Sequence, residues 1–110
     1  MENHFSRIDG KEVFDDLMVR SNQEPVVIFK HSTTCSISTV AYSEMERVAG
    51  QVALVEVQSG RELSREIEAR TGIEHESPQV IILRNGKAVW HASHWKIKTE
   101  SVEQAARENA

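Results

Sequence analysis

The alternation of apolar and polar positions divides the chain into short segments separated by turn signals. Phe5 to Ile8 reads as a brief first strand. Asp9 with Glu12 three residues on has the form of a capping box. Val13, Phe14, Leu17 and Met18 then share one helical face, predicting a helix to about Asn22. Gln23-Glu24-Pro25 breaks it. PVVIF, residues 25 to 29, is an apolar, β-branched run with no polar alternation, the pattern of a strand covered on both faces. Past a Ser/Thr-rich stretch, Ile37, Val40, Ala41, Met45 and Val48 recur at three- and four-residue steps, and Gly50 offers a C-cap. Ala53 to Val57 is a second buried strand. Ser59 with Glu62 forms another capping box, opening a helix that turns Leu63 and Ile67 inward and stops near Gly72.

Ser77-Pro78 introduces a third buried strand, QVIILR, and Asn85-Gly86 is a strong hairpin signal leading to KAVWHAS. Those two strands are expected to pair antiparallel. Thr99 is placed as the cap of a last helix, Glu100 to about Asn109, with Val102, Ala105 and Ala106 as its apolar face. Helices alternate with the first buried strands and a hairpin plus helix follows, which predicts an α/β/α sandwich on a mixed central sheet. This order resembles that of the thioredoxin fold, although order alone leaves other small α/β folds open.

Composition narrows the function classes. The chain has 110 residues, suited to one domain spanning 1–110, with 39% hydrophobic and 27% charged residues. Thirteen basic against seventeen acidic side chains give a net charge of −4, which argues against general nucleic-acid binding. No apolar run approaches the roughly 20 residues of a membrane span. MENHFSRIDG lacks the apolar stretch of a signal peptide. With one cysteine, the expected setting is a reducing cytoplasm. The five histidines make no metal pattern. His91 and His94 would face opposite sides of a strand, so no metal site is expected. Trp90 and Trp95 are read as packing residues, and Glu44, Glu46, Arg47, Glu62, Arg65, Glu66 and Glu68 as solvated helix faces.

The candidate chemistry lies in FKHSTTCSIS, residues 29 to 38. Cys35 falls where a buried strand turns into a helix. Unpaired N–H groups and the helix dipole there favour a thiolate, the nucleophilic form. Lys30 and His31 add nearby basic groups, and Thr33, Thr34, Ser36 and Ser38 supply hydroxyls that can donate to the sulfur. A thiol pKa below the free value of about 8.5 is expected. The competing reading is an inert buried cysteine with Ser/Thr as helix caps. Ser38 occupies the place of the second thiol of a C-x-x-C site, so a mixed disulfide at Cys35 would await an external thiol. Pro78, just before the third central strand, is expected to follow a cis peptide bond that turns the Ser77 backbone toward a ligand.

HSTTCSIS, HESPQ at 75 to 79 and NGKAVWHASHW at 85 to 95 together resemble the YtxJ-like monothiol bacilliredoxins of the thioredoxin-like superfamily, over about Phe14 to Lys98. The family string TCPIS reads Thr34-Cys35-Ser36-Ile37-Ser38 here, with Ser36 in place of proline. The resemblance implies a thiol–disulfide oxidoreductase that removes bacillithiol, a cysteine–glucosaminyl–malate thiol, or a similar small thiol from S-thiolated client proteins. Cys35 would be the nucleophile, Thr34, Ser36 and Ser38 would support its thiolate, and His31, His75, Ser77 and Pro78 would bind the substrate. The small thiol would be a co-substrate, with no tightly bound cofactor. Two other classes compete. An iron–sulfur carrier of the monothiol glutaredoxin type would want a C-G-F-S site, whose glycine is missing here. A non-catalytic binding module would use the Pro78 edge to pair extended segments.

Overall fold

A computed structural model describes residues 4–34 and 36–110 of the chain. The elements follow the predicted order: β1 (Phe5–Arg7), α1 (Lys11–Arg20), β2 (Val26–His31), α2 (Ser36–Glu46), β3 (Val52–Glu56), α3 (Arg61–Thr71), β4 (Gln79–Arg84), β5 (Lys87–Ser93), a 3₁₀ turn at His94–Lys96 and α4 (Thr99–Glu108). The sheet order is β1-β3-β2-β4-β5. β1, β3 and β2 run parallel, β4 is antiparallel to β2, and β5 is antiparallel to β4. The hairpin turns at Asn85 and Gly86, both with positive φ (56° and 75°), as the Asn-Gly pair requires.

The three central strands are apolar on both faces because each face has its own helices. On one side Val27, Phe29, Leu54, Val80 and Ile82 pack against Ala41 and Met45 of α2 and Val102 and Ala105 of α4. On the other, Ile28, Val55, Ile81 and Leu83 pack against Phe14 and Leu17 of α1 and Leu63 and Ile67 of α3. This is the three-layer mixed-sheet sandwich expected from the sequence. β5 alternates between exposed and covered residues along most of its length, as an edge strand with one wet face should.

Helix starts depart from the expected caps. The N-caps of α1 and α3 are Gly10 and Gly60, neither with a side-chain capping bond. In each case a glycine follows the expected cap and takes its place, so the Asp9–Glu12 and Ser59–Glu62 boxes fall out of step by one residue. Ser59 instead accepts a hydrogen bond from Arg7 at 3.3 Å. Thr99 is the first residue of α4 rather than its cap. The inward stripe of α2 is also rotated from the expected one. Ser38, Ala41 and Met45 are buried, whereas Val40 is 44% exposed.

Thr99 and Glu44 join α4 to α2. The Thr99 N–H donates to Glu44 Oε1 at 2.7 Å, and its hydroxyl lies 2.8 Å from the Glu44 carbonyl and 2.7 Å from Oε1. Glu44 is thus an interhelical link rather than part of a merely solvated face. The Thr99 N–H, and then its hydroxyl, hold the Glu44 carboxyl below its ordinary value of 4.5. A depressed native pKa contributes stability above the unfolded value, and that stability is lost as pH falls through the native one. Glu44→Gln is therefore expected to lose less stability than wild type between about pH 6 and pH 3. Urea denaturation at stepped pH checks this; parallel losses in the two proteins would remove Glu44 as the cause.

Candidate functional site

β2 ends at His31, a turn of Ser32, Thr33 and Thr34 follows, and α2 begins at Ser36. Cys35, the expected nucleophile, lies outside the described residues. The turn before it is held by side chains. The Ser32 N–H donates to Ser38 Oγ at 3.2 Å, and the Thr34 N–H donates to Ser32 Oγ at 3.4 Å. Gln58, just past the end of β3, donates from Nε2 to Ser32 Oγ at 2.8 Å and to Thr34 Oγ1 at 3.1 Å. Its Oε1 accepts the Thr33 N–H at 3.3 Å. A single amide therefore engages all three turn residues.

The hydroxyls expected to support a thiolate divide accordingly. Thr34 Oγ1 accepts from Gln58 and shares a second hydrogen bond, 3.3 Å long, with Ser32 Oγ. Ser36 is exposed at the first turn of α2. Ser38 is fully buried and accepts from the Ser32 N–H, so it locks the turn as well as standing in the position of a second thiol.

Pairing of β2 with β4 brings the second half of the site alongside. Their last pair is Lys30 with Gln79, so His31 and the turn continue from β2 just where Pro78 precedes β4. The Ser77-Pro78 peptide is cis, as expected. The Pro78 carbonyl accepts the His94 N–H at 3.0 Å. Gln79, 1% exposed, holds the segment before the proline: Nε2 donates to the Glu74 carbonyl at 2.9 Å, and Oε1 accepts the Glu76 N–H at 3.4 Å.

The two candidate histidines lie on different faces of the sheet. His31 stacks on Phe29 and Tyr42, with ring centroids 5.6 and 4.9 Å away, on the α2 side. Burial lowers its pKa, so its imidazole is neutral near pH 7. His75 lines a groove on the α3 side together with Ser32, Gln58 and Arg61. Its pKa is also lowered, first by burial and then by the Lys30 charge. Trp95, read from the sequence as a packing residue, is 59% exposed on the 3₁₀ turn, while Trp90 does pack against the core. Among the described residues no three His, Cys, Asp or Glu side chains gather as metal ligands, and no helix is long and apolar enough to cross a membrane.

Gln58 and the burial of Lys30 had no local signature. Strand periodicity says nothing of a polar residue beyond a strand end, although parallel β2 and β3 bring their following loops to one edge of the sheet. Lys30 is completely buried, and its Nζ has no hydrogen-bond partner among the described residues. Burial pulls its pKa from 10.5 down to about 8, against the opposing pull of Glu68 and Glu76.

A model of the monothiol bacilliredoxin family matches residues 6–102. Among solved structures, a candidate oxidoreductase with a thioredoxin fold is 30% identical, with 93% of each chain covered and a TM-score of 0.85. Thioredoxin from Trypanosoma brucei brucei is 18% identical, over 98% of this chain and 92% of that one, with a TM-score of 0.77. Fasciola hepatica thioredoxin is 13% identical, over 94% and 98%, with a TM-score of 0.74. The last two show the fold alone.

Two expectations test the site. At pH 7 Lys30 is protonated in both folded and unfolded chains, so its burial cost is fully present. Between about pH 8 and 10.5 the folded chain has released a proton that the unfolded chain still holds, and stability rises with pH. Lys30→Met should be more stable than wild type at pH 7 by up to roughly 3 kcal/mol, with the gap closing toward pH 10.5. A pH-independent gap in denaturation free energy would refute this. Ser38→Ala leaves the buried Ser32 N–H without its acceptor and should cost about 1–3 kcal/mol. Chemical denaturation of the reduced protein measures it, and an unchanged midpoint would show that the turn closes without this bond.

Proposed function

The chain belongs to the monothiol bacilliredoxin family, and from that premise we propose that it is a thiol–disulfide oxidoreductase that frees client proteins of bacillithiol, or a similar small thiol, through Cys35. The observation that carries the reading is the family match across residues 6–102, which spans a chain with one cysteine and Ser38 where a second thiol would stand. The buried Ser38 hydroxyl is engaged by the Ser32 N–H. A serine hydroxyl cannot resolve a disulfide, so the cycle draws its second thiol from solution.

The exchange has two steps. The Cys35 thiolate attacks the small-thiol sulfur of the client's mixed disulfide. A Cys35–small-thiol disulfide forms as the client–sulfur bond breaks, and the client thiolate leaves and takes a proton. A second small thiol, as thiolate, then attacks the sulfur bound to Cys35. It forms a symmetrical small-thiol disulfide and returns Cys35 as thiolate. Over the two steps, the client's mixed disulfide and one free small thiol become the client thiol and a symmetrical small-thiol disulfide, so the disulfide bond passes from client to small thiol. Gln58 supports this chemistry by holding the turn before the nucleophile through Ser32 and Thr34. Low-molecular-weight thiols and S-thiolated proteins are the partners in this scheme, with no resident cofactor.

An S-bacillithiolated model protein supplies the test. Wild type with excess bacillithiol should release the reduced client, and intact mass should show one bacillithiol added to Cys35 when the second thiol is withheld. Cys35→Ser should release no more than bacillithiol alone does. Equal release by the two proteins, or none by wild type, would overturn the proposal.

A further inference from the structure

The groove beside the turn has features that the exchange scheme does not use. It has a volume of about 430 Å³, in the range of small-molecule sites. Ser32 and Gln58, which hold the turn before Cys35, line it together with His75. Its wall is a stripe of α3 in which Arg61, Ser64, Arg65 and Glu68 follow at helical spacing. Arg61 and Arg65 are exposed and have no ion-pair or hydrogen-bond partner among the described residues, although salt bridges occupy Arg7, Arg20, Arg47 and Arg70 elsewhere. Ser64 is 4% exposed, and its buried Oγ lacks a partner among the described residues. The Glu68 carboxylate is partly committed, since it accepts the His75 N–H at 3.1 Å. Lys30, buried and unpartnered, is close enough to act electrostatically on both Glu68 and His75.

These features select a ligand chemistry. On a chain of net charge −4, the groove is lined by two guanidinium groups and a buried hydroxyl that have no partners among the described residues. Guanidinium groups pair bidentately with oxyanions, carboxylates among them. A neighbouring concavity shares Gln58 and Arg61 but is lined also by the acidic Asp9, Glu62 and Glu66, and two others differ further. The one between α2 and α4 is lined by Glu44 and Thr99, which already satisfy each other. The one at the β1 edge is walled by Val13 and Leu17 beside Asp16.

We infer that this groove is the docking subsite for the small-thiol half of the mixed disulfide, and that it selects a thiol bearing carboxylates through Arg61 and Arg65, with Ser64 Oγ as a further hydrogen-bonding group. The inference rests on exchange at Cys35 as proposed above and assigns its small-thiol specificity to α3. Positive charge in the groove draws an anionic thiol to the sulfur it must attack, and a neutral or cationic thiol loses that advantage.

Two probes separate the subsite from the exchange itself: bacillithiol and its malate-free cysteinyl-glucosamine counterpart. The Cys35→Ser chain cannot exchange, so amide NMR titration with each reduced probe reads binding alone. Bacillithiol is expected to shift Arg61, Ser64, Arg65 and His75. It should bind at least about threefold more tightly than the malate-free probe, a difference that shrinks as salt rises. Arg61→Ala/Arg65→Ala should erase that preference. Equal binding of the two probes, or shifts confined to other faces, would overturn the subsite. In the chain carrying Cys35, the rates at which the two thiols release its mixed disulfide should differ in the same sense. Exchange at one common rate would sink the subsite and keep the proposed function, whereas groove binding with no exchange would do the reverse.

Discussion

The antiparallel register of β2 on β4 is the constraint from which the site follows. Lys30 pairs with Gln79, so the end of one strand and the start of the other meet at the same edge of the sheet. That pairing sets the hydroxyl-rich turn of residues 32–34 beside the segment ending at Pro78. It also places Lys30 and Gln79 on a common face, since cross-strand partners point to the same side. A shift of one residue would turn Lys30 toward the aromatic face and Phe29 toward α3. The burial of Ile28 and Phe29 on opposite faces makes such a slip costly.

Two glutamine side chains convert that register into a defined cleft. Gln58 reaches from the end of β3 to the turn after β2. Gln79 reaches from the start of β4 into the segment before the cis proline. Each amide offers both donors and an acceptor, so one side chain satisfies several groups in irregular backbone that no ladder serves. Without such groups, turn and loop would depend on water for the same bonds. Both glutamines sit next to β-strands in a five-stranded sheet, so they start from fixed positions.

The fold was legible in the sequence because its signals are local. Continuous apolar runs marked β2, β3 and β4 as doubly covered strands, and Asn85-Gly86 marked the hairpin. Helix starts read less well, because the pattern does not say whether Ser59 or the following Gly60 caps α3. Only backbone geometry separates them. The stripe of α2 misled for a different reason. Val40 and Ser38 compete for the inward face, and the N–H of Ser32 decides for Ser38. Candidate site residues were legible where chemistry is written in residue type, as in the lone cysteine, the serine three positions on and Ser77-Pro78. Gln58 and the burial of Lys30 were not, since each depends on residues more than twenty positions away.

The two faces of the sheet at this edge divide the work between them. Toward α2, His31 packs neutral between Phe29 and Tyr42, so that side adds aromatic bulk and no charge. Toward α3, Arg61, Arg65 and the buried hydroxyl of Ser64, none with a partner among the described residues, line a polar groove. In the proposed exchange the single thiol hands its mixed disulfide to a second molecule, and that molecule has to approach along a fixed line for sulfur to attack sulfur. A second cysteine would have supplied this orientation covalently. With Ser38 in its place, the proposed scheme takes that orientation from contacts made by the incoming thiol, and the α3 groove beside the turn holds groups without partners among the described residues.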